Sequence, residues 1–175
     1  GGGCGVAADA VLPVGGVWDD EQTALNRLVE PLADGGRAIG NPLQITEHPA
    51  TGAAPSPAPA AVGDAPLSGL RVVDLGAYVA GPFAGKILAD LGAEAIKIEP
   101  LGGEVFRFMY RNFSSVNRGK RSLAVDMKAA EGIDLVRRIC ASSDAVTHNL
   151  RMGVAERLGI GGGALRGLNP QIVTV

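Results

Sequence analysis

A chain of 175 residues, 46% apolar and 19% charged, has the length and balance of one globular domain with a core, since domains cluster around roughly 100–150 residues. Its net charge of −2 argues against an affinity built on neutralising many phosphates, so nucleic acid is not an expected partner. Aromatics make up only 4% against 26 Gly and 11 Pro, which leaves Ala, Val, Leu and Ile to build the core.

The start, GGGCGVAADA, places no basic stretch ahead of an apolar one, and charge interrupts every apolar run well short of the ~20 residues a bilayer requires. Neither export nor a membrane is expected. Cys4 and Cys140 stand far apart, with no CxxC pair and no histidine spacing to complete a metal site, so a reducing cytoplasm is the simpler setting.

Asp19 and Asp20 are placed to cap a helix running through Val29, with Ala24, Leu25, Leu28 and Val29 on one face. Leu43–Thr46 reads as a short strand. The stretch from Ala50 to Ala65, rich in Pro, Ala and Gly, reads as a linker.

Beyond it, short apolar runs alternate with segments of helical period. Leu70–Leu75 reads as a buried strand. Pro82 suits a first helical residue, and Phe83, Ile87, Leu88 and Leu91 recur at three and four as an inward face ending at Gly92. Ala95–Ile98 and Ser122–Val125 follow as strands. A helix near Ala129–Ala141 turns Ile133, Val136 and Ile139 or Cys140 inward, and Asp144–Thr147 and Gln171–Val175 complete the strands. Strands separated by helices of this length pair in parallel through right-handed crossovers, which predicts a doubly wound α/β sheet. Gly102-Gly103 and Gly161–Gly163 read as flexible connections.

In such a sheet, ligands bind where strand ends meet the loops into the next helices, at backbone N–H groups and a positive helix end. The loop Gly76-Ala77-Tyr78-Val79-Ala80-Gly81-Pro82 lies there. Its spacing does not match GxGxxG, and Pro82 stands where a P-loop would carry lysine, which weakens a nicotinamide dinucleotide or ATP reading. The glycines equally suit a tight turn. Asn117-Arg118-Gly119-Lys120-Arg121-Ser122 sets three cations within four residues, either a solvated loop or a match for phosphate groups. His148 reads as a hydrogen-bonded structural residue, and the carboxylates at Asp74, Asp90, Asp126, Asp134 and Asp144 as strand-end, helix-surface or turn residues.

The segments PLSGLRVVDLG, AGPFAGKILADLGAEAIKIEPLGGE, NRGKRSLAVDMKAAEGIDLVRRI, HNLRMGVAERLGI and LNPQIVTV, in this order, resemble the amino-terminal part of family III coenzyme A transferases, the CaiB/BaiF family. The resemblance implies a Rossmann-like large domain that takes coenzyme A or its acyl thioester as substrate, with no permanently bound cofactor and no metal. It implies an aspartate that attacks the thioester carbonyl to give a mixed anhydride and then an enzyme-bound aspartyl-CoA thioester, a carboxylic acid as acceptor, and an interlocked homodimer. That aspartate is expected beyond Val175, so residues 66–175 are expected to hold a truncated CoA-binding part without the catalytic group. Carried over position by position, the CoA contacts are Ala77, Tyr78, Val79 and Ala80 at the nucleotide, Pro100 where some members place an arginine over the adenine, and Val125 on the adenine side. Asn149 and Leu150 fall on the pantetheine path, Arg157 at a phosphate, and Lys120 and Arg121 on the family's basic pair.

CGVAADAVLPVGGVWDD and LQITEHPATG resemble the carboxyl-terminal end of a family III chain. Residues 1–49 ahead of the beginning of a copy fit a junction of two tandem copies or a rearrangement. Two further readings remain: an α-methylacyl-CoA racemase, which resembles the same segment and moves a proton instead of CoA, and a noncatalytic CoA-binding or assembly module.

Overall fold

The computed structural model describes residues 11–48 and 65–175. The chain divides into two compact units, Gly1–Pro49 and Ala50–Val175. Almost all of the Ala50–Ala65 linker lies outside the described residues.

In the first unit a 3-10 turn, Gly16–Asp19, leads into helix α1, Glu21–Leu25. Asp20 caps it, its carboxylate accepting from the Thr23 N–H at 3.0 Å. The helix stops four residues short of Val29, which instead opens strand β1, Val29–Pro31, paired antiparallel with β2, Arg37–Ile39. Turn chemistry decides the outcome: Gly35 adopts φ +83 and Asp34 accepts from the Gly36 N–H at 2.9 Å, closing the hairpin. Of the expected apolar face, Ala24 and Leu25 are exposed, Leu25 at 69%, and Leu28 and Val29 are only half-buried. Leu43–Thr46 forms no strand. Arg37 ties the hairpin to the turn, lying 5.6 Å from the Trp18 ring and 2.6 Å from Asp19.

The second unit runs β3 (Arg71–Asp74), α2 (Ala80–Asp90), β4 (Glu94–Glu99), a 3-10 turn (Val105–Phe108), α3 (Tyr110–Asn117), β5 (Arg121–Ala124), α4 (Ala130–Ala141), β6 (Ala145–Thr147), α5 (Val154–Arg157), α6 (Gly162–Leu168) and β7 (Val173–Thr174). The sheet order is β5-β4-β3-β6-β7, with every neighbouring pair parallel. This is the doubly wound arrangement the sequence predicts, with its order reversing between β3 and β6. The Gly161–Gly163 segment is not a loose connection but the start of α6. Gly103, at φ +80, makes a tight turn in which its N–H donates to the Pro100 carbonyl at 2.8 Å.

Strand alternation sends odd and even residues to different environments. Val73, Leu75, Ile98, Val125 and Val146 pack on one face with Val136 and Cys140 of α4, Ala155 of α5 and Leu165 of α6. Burial pushes the Cys140 thiol up to about 11, so it behaves as a small hydrophobe.

The opposite face, under α2 and α3, is ionised. Asp74, Lys97 and Glu99 are each at most 1% exposed. Lys120 joins them from the turn before β5, its ammonium donating to Asp74 at 2.6 Å, to the Pro82 carbonyl at 2.6 Å and to Asn117 at 2.9 Å. Glu99 receives both arms of Arg107 at 2.6 Å, the Ser122 hydroxyl at 2.6 Å and the Glu104 N–H at 3.0 Å. Arg107 also lies flat against Phe113, 4.2 Å from its ring centre. With Glu104, the layer sets three cations, Lys97, Lys120 and Arg107, against three carboxylates, so its charge cancels. Asp74 is therefore no ordinary strand-end residue.

This layer corrects the expected orientation of α2. Its buried residues are Gly81, Pro82 and Gly85, while Phe83, Ile87 and Leu91 are 48%, 43% and 40% exposed. A Cβ at Gly85 would meet the Asp74 carboxylate at 3.2 Å, so the helix approaches the ion pair through its small residues and turns its large ones outward. The helix begins at Ala80, and Pro82 lies in its first turn, where a missing N–H costs nothing.

Two outcomes follow from the ionised face. Lys120→Met leaves Asp74 buried without its partner and is expected to cost about 3–5 kcal/mol in urea unfolding. Burial alone would raise the Glu99 carboxyl, but Arg107, Ser122 and the Glu104 N–H outweigh it and hold Glu99 down at about 2. A depressed carboxyl stabilises above its unfolded value and loses that stability as pH falls, so native chain is expected to lose of order 3 kcal/mol between about pH 5 and pH 2 through this group. Glu99→Gln should flatten that part of a pH series of melting curves.

Candidate functional site

The reversal of strand order between β3 and β6 leaves a crevice at their carboxyl ends, because their loops depart to opposite faces. After β3 the chain must turn at once into α2, and two glycines permit it. A Cβ on Gly76 would lie 2.7 Å from the Gly81 carbonyl carbon, and one on Gly81 would lie 2.8 Å from the Gly76 Cα. After β6, the His148 N–H continues the ladder by donating to Val175, and Asn149 turns its amide across the gap. Asn149 accepts from the Ala77 N–H at 2.8 Å and donates to the Ala77 carbonyl at 2.9 Å, as a neighbouring strand would.

The backbone donors of Gly76, Ala77 and Tyr78 are already engaged. Gly76 N–H donates to Asp74 at 2.7 Å, Ala77 N–H to Asn149, and Tyr78 N–H to Glu104 at 2.5 Å; the Gly76 carbonyl accepts from Lys97 at 2.8 Å. The expectation that this loop offers backbone N–H groups to a ligand is thus corrected at these three residues. What it presents is side chain: Tyr78 is 54% and Val79 50% exposed, Ala80 is exposed and Ala77 half-buried. Tyr78 sits at φ +60, a left-handed conformation that costs a residue with a Cβ roughly 1–2 kcal/mol. The charge-assisted bond from its N–H to Glu104 offsets that cost. Its ring rests against Phe106, 5.8 Å between centres.

Of the residues singled out in the sequence, Ala77, Tyr78, Val79, Ala80, Asn149 and Leu150 gather at the β3/β6 reversal. Pro100 and Val125 follow β4 and β5 at the same edge, joined by the Val125 N–H donating to Glu99 at 2.8 Å. Pro100 is exposed, whereas the Val125 side chain, 5% exposed, belongs to the apolar core, and Leu150 packs against that core. Arg157 is exposed at the end of α5.

Lys120 and Arg121 do not join this group. Lys120 is buried, and burial pushes its ammonium below the usual lysine value against the opposing pull of Asp74. Arg121 opens β5 and pairs with Glu94 at 2.5 Å, beside Arg71, at the amino end of the strands. Both line a crevice of about 90 Å³ together with Lys97, Glu99, Arg107 and Phe113, and its charges are paired with one another or with Asp74, Glu94 and Glu104.

Sequence reasoning missed Glu104, Lys97 and Asp74, which set the loop. The signal was present in AIKIE, where Lys97 and Glu99 share one strand face. Among the described residues no group of three or more His, Cys, Asp or Glu is placed to hold a metal ion, and no helix is long and apolar enough to cross a membrane.

Part of this chain is similar to known proteins. Succinyl-CoA–D-citramalate CoA-transferase of Chloroflexus aurantiacus is 40% identical over 119 residues, covering 63% of this chain and 30% of that protein. Alpha-methylacyl-CoA racemase of Mus musculus is 40% identical over 107 residues, covering 61% and 26% respectively. The crystal structure of a CAIB/BAIF family protein from Brucella suis superposes with a TM-score of 0.62 at 36% identity, covering 64% of this chain and 33% of that one. The chain therefore spans about a third or less of the length of these relatives. The sequence profile of CoA-transferase family III matches residues 67–175, and the chain belongs to that family.

Proposed function

We propose that residues 66–175 supply the coenzyme A-binding part of an acyl-CoA:carboxylate CoA-transferase. The observation that carries the reading is the Ala77–Asn149 pair, which brings the two family segments named as CoA contacts to one crevice at the strand reversal. In the whole protein, a carboxylate nucleophile expected beyond Val175 attacks the thioester carbonyl. The C–S bond breaks, CoA leaves as thiolate, and the thiolate returns to the aspartyl carbonyl, releasing the first carboxylate. Ala77, Tyr78, Val79 and Ala80 then flank the nucleotide, Asn149 and Leu150 the pantetheine, and exposed Arg157 is available to a phosphate. Lys120 and Arg121 stand apart from this arrangement as fold-supporting residues. The exposed apolar side chains of α2 support the self-association that family membership leads one to expect. The resemblance of residues 1–49 to a family carboxyl-terminal end supports a parent protein with tandem copies.

A second reading is favoured by the racemase relative, 40% identical over 107 residues. There the same site would hold an acyl-CoA while a base pair supplied elsewhere moves the proton next to the carbonyl.

Calorimetric titration of this chain with CoA is expected to show saturable heat with a dissociation constant below about 1 mM, equivalent to about −4 kcal/mol or better. Absence of heat at millimolar CoA would remove the claim that these residues bind CoA. For the whole protein, incubation with a chiral acyl-CoA and labelled acceptor acid is expected to put label into the thioester pool. Inversion of configuration with no acceptor present, and no label transfer, would establish the racemase reading instead.

A further inference from the structure

Glu104 lies five residues past the end of β4 and is 6% exposed. Its Oε1 accepts from the Tyr78 N–H at 2.5 Å, and its Oε2 lies 2.9 Å from the Lys97 ammonium without hydrogen-bond geometry. Lys97 in turn donates to the Gly76 carbonyl at 2.8 Å. The two peptide groups flanking Ala77 are thus gripped from the β4 side by one ion pair, at the Gly76 carbonyl and the Tyr78 N–H, and from the β6 side by Asn149, at the Ala77 N–H and carbonyl. Glu104 is itself held, because its own N–H donates to Glu99 at 3.0 Å.

We propose that Glu104 is a positioning residue of the ligand site: by accepting from the Tyr78 N–H it fixes Tyr78 in the left-handed conformation that stands its ring against Phe106 and exposed at the crevice. The ligand named here is CoA, so that half of the proposal rests on the reading above; the clamp itself does not. Tyrosine has no preference for φ +60 and carries a Cβ that opposes it, so the conformation needs an external hold. Among the described residues, that N–H donates to Glu104 alone. Through Glu99 and Glu104 the loop after β4, which carries Pro100, and the loop after β3 form one unit, so ligand contacts carried by these two neighbouring loops are set together.

The competing role for Glu104 is a bare countercharge for Lys97, and two variants separate the roles. Glu104→Gln keeps an acceptor oxygen within reach of Tyr78 but gives up the charge. Glu104→Asp keeps the charge but is one methylene short. Amide exchange at Tyr78 by NMR, read beside CoA titration, is the measurement. Positioning predicts that Glu104→Ala and Glu104→Asp speed Tyr78 exchange and weaken CoA binding by about tenfold, as expected for losing one hydrogen bond, with Glu104→Gln closer to native than either in both. Native-like Tyr78 exchange in Glu104→Asp, or a loosened amide with unchanged CoA affinity, would overturn the proposal. Should Glu104→Ala fail to fold, the Asp and Gln variants still decide. If native chain binds no CoA, the functional reading fails, while the exchange rates alone still report whether Glu104 holds Tyr78.

Discussion

The second unit is organised around a carboxylate buried beneath a helix. Asp74 ends β3 at 0% exposure and accepts from both the Gly76 N–H and the Lys120 ammonium. Taking two charges out of water is costly, and an apolar pair of similar volume would pack at least as stably. The pair is specific in what it joins: Asp74 fixes the first peptide of the turn, and Lys120 reaches the Pro82 carbonyl of α2 and Asn117 of α3. One ion pair therefore sets the strand, the turn, the helix above it and the approach to β5. A hydrophobic residue in place of Asp74 alone would leave the Gly76 N–H without its acceptor and the buried Lys120 ammonium without its countercharge.

The same economy shapes the crevice at the strand reversal. In a dinucleotide-binding turn, glycines leave peptide N–H groups free to face a pyrophosphate. Here glycines serve close approach between Gly76 and Gly81, and Asp74, Asn149 and Glu104 take up the donors. What the loop leaves exposed is side chain at Tyr78, Val79 and Ala80.

The strands were legible because runs such as LRVVDL and AEAIKI combine β-branched residues with clear punctuation, and their parallel order follows from helical spacers. The facing of α2 was not legible. A helical period of Phe83, Ile87 and Leu91 assumes a greasy surface below, whereas the surface is ionic and accepts only Gly81, Pro82 and Gly85. The ionised face was hidden because alternating charge in a strand ordinarily means solvent. Lys120 shows the same confusion, since a run of three cations in four residues reads as a wet loop until one of them is found buried. In the first unit, turn residues at Asp34–Gly36 outweighed an extended helical pattern. Helix α6 was missed because glycines at its start look like a breaker, yet its own Leu165 is fully buried and holds it to the core.

The zero sum of charge beneath α2 and α3 bears on how the chain meets salt. Mobile ions screen interactions they can surround, over about 8–10 Å at ordinary ionic strength. Arg37–Asp19 and Arg121–Glu94 are open to them and fade as concentration rises. Asp74–Lys120 admits no counterion, and a neutral layer attracts none, so brine that strips the periphery leaves the sheet's charged side as it was.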